Sequence, residues 1–349
     1  MVFAVVLAAQ QLGVMFGLLQ KNTQFVDNAG ADLWVVPPGT AAALPGQRMS
    51  TTLLDQARAT PGIAQASALI MAGTSIAKPG GGNLAITVVG VDTDTMLGGP
   101  FNVVAGDPLA LRQADTIFFE DAERERGGGV NLGSVREVGG YKVRVGGLTW
   151  GLTPFGPAYT FAELDLARTL AGIERDELSF VLATVSPGAD PVRVKADLQR
   201  RVPTAVVMTR AEFHDLIVRD LLAQQLGLTF GISTGFALIV GFIVVMLSMF
   251  SSVIDNLREF GTLKALGLTN LDLARLLVVQ SLLFASVGSL LGLGLVRLMA
   301  EGIRSAQLAV IIPRWLVLVT PAVMVTLCVL ASVLAIARIR KLEPGMVFR

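Results

Sequence analysis

The sequence has 349 residues, of which 52% are hydrophobic and 16% are charged, and its formal net charge is +1. This composition is typical of a membrane protein with a sizeable domain outside the bilayer, and it gives no basic excess for binding nucleic acid. The single histidine, His214, and the single cysteine, Cys328, exclude an intrachain disulfide, a Cys-x-x-Cys motif and a multi-histidine metal site.

Four uncharged runs are long enough to cross a bilayer. A helix rises about 1.5 Å per residue, so roughly 20 apolar residues span about 30 Å of hydrocarbon. The runs predict transmembrane helices at residues 1–20, 221–254 (with a stalk), 276–296 and 315–337. The Thr320–Pro321 pair also fits the start of the fourth helix, because a threonine cap followed by proline favours a first turn. The first run lacks the basic residue and cleavage site of a signal peptide, so we interpret it as an uncleaved anchor.

Residues 21–220 predict an α+β domain outside the membrane. After a continuation of the first helix at 21–28, one unit has a strand at 31–36, a helix from Ser50 or Thr51 to Ala59, and strands at 63–76 and 84–91. A second unit repeats this plan with a strand at 178–185, a helix at 191–201 and a strand at 205–208. Both units carry Val-x-Pro-Gly at a strand exit and proline just past the helix. We therefore predict a pair of β-α-β units packed together.

Residues 92–176 predict an inserted, β-rich subdomain between these units. Val135–Val138 and Tyr141–Val145 flank Gly139-Gly140 as a hairpin, with Val143 and Val145 on one face and charged residues on the other. The charged run 120–129 is interpreted as a solvated helix that ends at glycine. A metal or substrate site there is the weaker alternative, because Arg124 and Arg126 neutralise the acids.

No motif for catalysis or nucleotide binding occurs in the sequence. The glycine runs at 80–82 and 127–129 lack the Gly-Lys-Ser/Thr ending that binds phosphate and Mg²⁺, and neither Gly-x-Ser-x-Gly nor His-Glu-x-x-His is present. We expect a non-catalytic chain with no cofactor and no metal, which hydrolyses no ATP by itself.

The connector at 255–275 between the second and third spans has an amphipathic pattern. Leu257, Phe260, Leu263 and Leu266 recur at three-residue steps beside charged residues, which predicts a short helix at a membrane face; a solvated turn is the alternative. Seven basic residues flank this connector or follow the last span, against three in the loop 297–314. The positive-inside rule then places the connector, the tail 338–349 and the N-terminus in the cytoplasm.

Small residues recur at four-residue spacing in the spans, and such rows let helix backbones approach closely in lipid. The partner helix belongs either to the same chain or to a second copy. The residues that we predict to pack in this way are Gly13, Gly17, Gly227, Gly231, Gly235, Gly288 and Gly292, together with the row Ser281, Ala285 and Ser289.

The chain has one anchor, a domain of about 200 residues and three further spans, with a charged connector between the second and third spans. This order resembles the permeases of the FtsX and MacB superfamily of ABC transporters. The connector Arg258-Glu-Phe-Gly-Thr-Leu-Lys-Ala-Leu-Gly-Leu is similar to that family's connector, in which a Glu and a basic residue flank a Leu-(Lys/Arg)-Ala-(Leu/Met)-Gly core. The stretches Ala31-Asp-Leu-Trp-Val-Val and Lys341-Leu-Glu-Pro-Gly-Met-Val-Phe resemble the DevC branch in particular.

The resemblance implies a function and its partners. The chain would be a homodimeric permease subunit in the inner membrane that transmits the motion of a cytoplasmic ATPase dimer to its periplasmic domain, driving export with a periplasmic adaptor and an outer-membrane duct. An FtsX-type regulator of a cell-wall hydrolase, with no transport, is the alternative. Family members usually carry a cytoplasmic amphipathic segment before the first span, whereas this sequence begins almost directly with the span. The resemblance assigns the ATPase-coupling helix to Arg258, Glu259, Phe260, Gly261, Leu263, Lys264, Ala265, Leu266 and Gly267.

Overall fold

The chain forms two compact units. The computed structural model describes residues 2–40, 47–153, 156–256, 259, 262–263, 266, 269–302 and 311–339. The sheet unit is made mainly of Leu18–Gln224, and the helical unit contains Met1–Gly17, Gln225–Arg304 and Ala309–Arg349.

The helices and strands follow one another in a mixed order. The helices are α1 (Val2–Asn28), α2 (Thr52–Arg58), α3 (Leu164–Ala171), α4 (Pro191–Arg201), α5 (Arg210–Leu221), α6 (Gly227–Asp255), α7 (Asn270–Gly302) and α8 (Arg314–Ile339). The strands are β1 (Leu33–Val36), β2 (Met49–Ser50), β3 (Ile63–Ala77), β4 (Asn83–Val91), β5 (Val103–Gly106), β6 (Thr116–Glu120), β7 (Val135–Val138), β8 (Tyr141–Thr149), β9 (Tyr159–Glu163), β10 (Glu177–Leu178), β11 (Phe180–Val185) and β12 (Val206–Thr209).

Four of the described helices are long and apolar enough to cross a membrane: α1, α6, α7 and α8. The four predicted spans are therefore confirmed as helices. In the helical unit, Ala285 of α7 packs with Cys328 and Ala331 of α8 and with Val245 and Met249 of α6. The other two members of the small-residue row of α7, Ser281 and Ser289, are buried as well.

The prediction that the fourth helix begins at Thr320–Pro321 is wrong. Helix α8 begins at Arg314 and contains Pro321 in its interior. The hydroxyl of Thr320 donates to the carbonyl oxygen of Leu316 one turn earlier, at 2.8 Å, so it lies inside the helix and does not cap it. A proline removes one backbone hydrogen bond, but membrane helices tolerate it because neighbouring helices, Ser or Thr side chains and local changes in helix geometry satisfy the freed backbone group.

The sheet unit contains the two predicted β-α-β units, interleaved in one sheet. The strand order is β12-β1-β11-β3-β4-β9-β6-β8-β5, with β7 pairing with β3 and β8. Strand β11 of the second unit lies between β1 and β3 of the first and is antiparallel to both. This is the split β-α-β arrangement, in which the gap left by one crossover is filled by a strand of the other unit.

Both faces of the β1–β11 region are covered. Leu33 and Val35 face α2 and α4 in a core that contains Leu53 and Leu198. Alternation along the strand places Trp34 on the opposite face. All four residues of β1 are buried for this reason, which explains why Leu33–Val36 is an unbroken apolar run.

The segment 92–176 continues the same sheet through parallel pairing of β9 with β4. Its core shares Ile70 and Ile76 of β3 with residues of β6 and β8 such as Phe119 and Val145. The predicted hairpin is confirmed as β7 and β8, with Val143 buried and Lys142 exposed. Helix α3 was not predicted from the sequence.

The interpretation of residues 120–129 as a solvated helix is wrong. Glu120 ends β6 and is fully buried, and Asp121–Glu123 form a single 3-10 turn. Glu123 is 4% exposed and pairs with Arg126 at 2.8 Å. The local charge pattern suggested solvent exposure throughout, but Glu120 accepts from Thr149, Gly151 and Leu152 inside the fold, and Glu123 pairs with the exposed Arg126 of the same run.

Candidate functional site: the stalk junction

Two covalent connections join the sheet unit to the apolar helices. Residues 18–28 of α1 lead into β1, and α5 leads from β12 through a π-helical segment at Leu222–Leu226 into α6. We call residues 18–28 and α5 the stalk helices. A displacement carried along the backbone to the sheet must pass through one of them, so their contacts with the sheet form the candidate functional site.

The chain enters and leaves the sheet at the same place. Strands β1 and β12 are antiparallel neighbours, and Leu33 at the start of β1 pairs with Thr209 at the end of β12. The backbone amide of Arg210, the first residue of α5, donates to the carbonyl oxygen of Asp32 at 3.0 Å. The carboxylate of Asp32 accepts from the amide of Val185 at 2.9 Å. The register of one strand pair therefore places both stalk helices together.

Buried aromatic rings connect the stalk helices through the sheet. Phe25 of α1 contacts Trp34 of β1 with ring centroids 6.2 Å apart, and Trp34 contacts Phe213 of α5 at 5.1 Å. All three side chains are at most 1% exposed. We call Phe25, Trp34 and Phe213 the aromatic junction. Each such ring pair contributes about 0.5–1.5 kcal/mol beyond the area that it buries, so detaching either helix from the sheet is costly.

Further rings surround the aromatic junction. Tyr159 lies 5.4 Å and Phe161 6.5 Å from Phe25, and Phe180 lies 5.9 Å from Trp34 and 6.1 Å from Phe213. Burial raises the pKa of the Tyr159 phenol, which stays neutral. Strands β1, β9 and β11 thus all contribute rings to the face that receives the stalk helices.

The stalk helices also contact each other directly. The Nδ1 atom of His214 in α5 lies 3.0 Å from a carboxylate oxygen of Asp27 in α1. The two side chains are 36% and 40% exposed. His214 therefore links the two stalk helices from a partly exposed position.

Polar contacts attach α1 to Gly151, which lies two residues after the end of β8. The Lys21 ammonium donates to the Gly151 carbonyl oxygen at 2.6 Å, and the Gln24 amide donates to the same oxygen at 3.0 Å. Gly151 has φ +81°, and an added Cβ would lie 3.0 Å from the Lys21 nitrogen. A glycine is favoured here because an L side chain would strain the backbone and crowd the lysine.

The buried Glu120 carboxylate holds the other side of this glycine. It accepts from the amides of Gly151 at 2.6 Å and Leu152 at 3.0 Å, and from the Thr149 hydroxyl at 3.0 Å. Burial raises the pKa of Glu120, while these hydrogen bonds favour its ionised form. Gly151 is therefore held between a buried carboxylate and the Lys21 ammonium of the stalk.

Helix α5 has a strong N-terminal anchor. The Thr209 hydroxyl accepts from the Glu212 amide and the Glu212 carboxylate accepts from the Thr209 amide, which is a capping box. Lys195 of α4 lies 2.5 Å from the same carboxylate. The hydrogen bond from Lys195 lowers the pKa of Glu212, and partial burial opposes this shift.

Sequence reasoning did not identify the residues of the stalk junction. Lys21 and Phe25 lie about one turn apart in α1, whereas Glu120 lies 95 residues after Phe25 in the chain, and each belongs to a segment whose local pattern suggested a solvated role. The one available signal was an apolar Phe25-Val26 pair within the polar end of α1, which indicates a buried helix face.

The predicted coupling helix lies largely outside the described residues. Arg258, Phe260, Gly261, Lys264, Ala265 and Gly267 are not described, so their arrangement stays a prediction. Of the others, Glu259 and Leu263 are helical, and the Leu266 amide donates to the Thr262 carbonyl oxygen at 3.0 Å. Leu266 is 80% exposed.

The predicted glycine rows differ in their surroundings. A Cβ on Gly292 would lie 2.6 Å from a Val5 methyl group, so this glycine lets α7 approach α1 within the chain. Gly241, which the sequence analysis did not select, has the same role against Ala4. Among the described residues, no atom lies within 4 Å of the Cβ position of Gly231 or Gly235.

The other predicted packing glycines are in helices of the helical unit. The Gly13 carbonyl oxygen accepts from the Ile311 amide at 3.0 Å. Gly17 is in α1, Gly227 begins α6 and Gly288 is in α7. Within the part of the chain that the structure describes, no group of three or more His, Cys, Asp or Glu residues could hold a metal ion.

Two family models match the chain. The MacB-like periplasmic core domain matches residues 1–201, which is more than half of the chain, and the FtsX-like permease C-terminal domain matches residues 231–344. Uncharacterized ABC transporter permeases of Mycobacterium bovis and Mycobacterium tuberculosis are 25% identical over 354 aligned residues, covering 100% of this chain and 92% of each relative. One from Methanocaldococcus jannaschii is 26% identical over 149 residues, covering 41% of this chain and 36% of that protein.

The chain also matches solved structures. The extracellular domain of the noncanonic ABC-type transporter YknZ from Gram-positive bacteria matches with a TM-score of 0.38 and 14% identity, covering 51% of this chain and 99% of that one. The periplasmic region of MacB from Actinobacillus actinomycetemcomitans matches with a TM-score of 0.41 and 8% identity, covering 56% and 97%. With four apolar helices and both family models matched, the chain belongs to the FtsX/MacB family of ABC transporter permeases.

Proposed function

We propose that this permease is a mechanical transmitter, which passes the motion of an ATPase from its apolar helices to the sheet unit. The observation that carries the proposal is the stalk junction: both covalent connections end in one buried set of rings around Trp34. A displacement of either helix would therefore move the sheet with it. The helices themselves are nearly free of charged residues, which supports a transmitter over a polar channel.

The ATPase is a separate cytoplasmic dimer in this proposal, and the connector Arg258–Gly267 is the coupling helix that lies in its groove. The exposed Leu266 and the partly exposed Leu263 support an apolar contact, and Glu259 supports a polar rim. The absence of any nucleotide-binding motif in the sequence supports a non-catalytic permease subunit.

A homodimer in the inner membrane, with both termini cytoplasmic, matches a two-fold pair of ATPases. The glycine row 227–235, whose members Gly231 and Gly235 have no neighbour within the described chain, supports contact with a second copy. The proposed output is export or extrusion through a periplasmic adaptor and an outer-membrane duct, as in the DevC branch. The same mechanics would serve an FtsX-type hydrolase regulator, and a neighbouring gene for an adaptor or for a hydrolase distinguishes the two.

The test is a nucleotide-dependent displacement of the sheet unit. Val192 on α4 is 74% exposed, so a spin label on Val192→Cys in a Cys328→Ser background reports the distance between two copies in the ATPase complex. We expect one distance without nucleotide and a different one with ATP trapped. The Phe260→Asp variant, which should no longer bind the ATPase, should show no change in this distance when nucleotide is added. An unchanged distance in a complex that hydrolyses ATP normally would contradict the proposal.

A second test locks the stalk helices together. An Asp27→Cys/His214→Cys disulfide in the same Cys328→Ser background joins α1 to α5 where they already touch. If the stalk moves as one body, the oxidised protein keeps the nucleotide-dependent displacement. Loss of displacement on oxidation, with recovery on reduction, would show that the two helices slide past each other and that the junction is not a rigid transmitter.

A further inference from the structure

Trp150 is an exposed aromatic residue beside the stalk. It follows the last residue of β8 and is 45% exposed, whereas Trp34 is 1% exposed. Its neighbour Gly151 accepts hydrogen bonds from Lys21 and Gln24 of α1. These two hydrogen bonds hold Trp150 beside the Lys21–Gln24 turn of α1.

This position is close to the end of the membrane span. The uncharged run of α1 ends just before Lys21, whose Cα lies about 3 Å along the helix axis from that of Leu19. The headgroup layer on each side of the hydrocarbon is roughly 5–7 Å thick. The first turn beyond the apolar run, and the Gly151 carbonyl oxygen that it binds, consequently lie at the depth of the headgroups.

Apart from the Lys21 ammonium at Gly151, the chain segments beside Trp150 are uncharged and expose apolar side chains. The Trp150 amide donates to the carbonyl oxygen of Asn102 at 3.0 Å, which brings the start of β5 alongside. Val104, the bulged residue of β5, is 58% exposed. The two segments that meet here, 95–106 and 145–162, contain no Asp, Glu, Lys or Arg. An exposed apolar patch at an otherwise polar domain surface marks a contact with a protein or a membrane.

We propose that the Trp150 edge, formed by Trp150, Asn102 and Val104, lies in the headgroup layer of the outward-facing leaflet. The occupant of this surface is lipid, because the patch is level with the end of the span and continuous with it through Lys21. Indole rings favour this layer, since their apolar body meets acyl chains while the N–H meets headgroups. The contact restricts the sheet unit to motions that keep this edge at the membrane, such as sliding or turning parallel to it.

Lipid-dependent quenching of Trp150 fluorescence tests the inference in the full-length protein. The background is Trp315→Phe, with Trp34 kept because it is buried in the core. The protein is placed in nanodiscs of phosphatidylcholine brominated near the headgroup end or near the methyl end of the acyl chain. Subtracting the emission of the Trp315→Phe/Trp150→Phe protein isolates Trp150. We expect loss of this emission with bromine near the headgroup end and a smaller loss with bromine near the methyl end.

A matched control lies on the same strand. Tyr141 is 52% exposed and starts β8, about 30 Å along the strand from Trp150 at roughly 3.3 Å per residue. Tyr141→Trp in the protein without Trp150 and Trp315 should show no lipid quenching. Quenching of Trp150 by aqueous iodide alone would place it in water, and protection from both quenchers would place it under another protein surface. Either result, or equal lipid quenching at Tyr141→Trp, overturns the inference.

Discussion

Replacing Glu120 should loosen the sheet where α1 is attached. In Glu120→Ala, the amides of Gly151 and Leu152 and the hydroxyl of Thr149 all lose their acceptor, inside a fully buried site. Each unsatisfied buried donor costs about 1–3 kcal/mol. The Lys21 ammonium, which donates to Gly151 and forms no direct ion pair with Glu120, also loses the nearby negative charge that raises its pKa.

These costs overlap, and Lys21 is only partly buried. We therefore expect the local opening free energy of β6 and β8 to fall by about 3–5 kcal/mol in total, because neighbouring effects do not add. Glu120→Gln keeps one acceptor oxygen but sets an NH₂ group against a backbone N–H, so its expected loss is about 1–3 kcal/mol.

Hydrogen exchange by mass spectrometry on the intact protein in nanodiscs measures this loss. At 1.4 kcal/mol per tenfold, Glu120→Ala should speed exchange in 116–120 and 141–149 by about 10² to 10⁴-fold, and Glu120→Gln should be intermediate. The control is Glu137→Ala, an exposed carboxylate on β7 paired across the strands with Lys142. Its effect should stay within about 0.5 kcal/mol. Unchanged exchange in both Glu120 variants, or an equal effect of Glu137→Ala, would refute the role of the buried carboxylate.

Further predictions concern the stalk and the connector. Phe213→Ala should destabilise the attachment of α5 by about 3–5 kcal/mol, measured as faster exchange of β12 amides, and little change would argue against the aromatic junction. The pKa of Glu212 is lowered, so its pair with Lys195 stabilises the fold above the ordinary pKa of glutamate, and this stabilisation is lost as the pH falls through the lowered pKa. Hydrogen exchange of α5 amides as a function of pH measures this stabilisation. It should be small because the carboxylate is half-exposed. Phe260→Asp should abolish co-purification of the ATPase and stimulation of its activity. Lys264→Ala should weaken binding of the ATPase by only about 0–1 kcal/mol. Wild-type binding and stimulation in Phe260→Asp would show that the connector is a simple turn and not a coupling helix. The purified chain alone should hydrolyse no ATP, and turnover that survives removal of contaminants would contradict a non-catalytic subunit.

The local features of this protein were predictable from its sequence because they depend on neighbours along the chain. Long apolar runs such as those of α6 and α7 suffice to predict membrane spans, since a helix in lipid must form all its backbone hydrogen bonds within itself. The helix Pro191–Arg201 was predicted with its observed bounds, because Asp190 caps it and proline occupies its first turn. The hairpin at Gly139-Gly140 followed from its turn residues in the same way.

The stalk junction depended on tertiary structure, because its members meet only when the sheet forms. Phe25 and Phe213 are 188 residues apart in sequence and both reach Trp34, a consequence of the antiparallel pairing of β1 with β12. Glu120 was also missed, because its charged neighbours along the chain indicated exposure to solvent. Only the folded structure brings the amides of Gly151 and Leu152 to its carboxylate, and these hydrogen bonds offset the cost of burying it. Local pattern determined which segments are helices, strands and spans, and long-range packing decided which of their residues connect the membrane to the sheet.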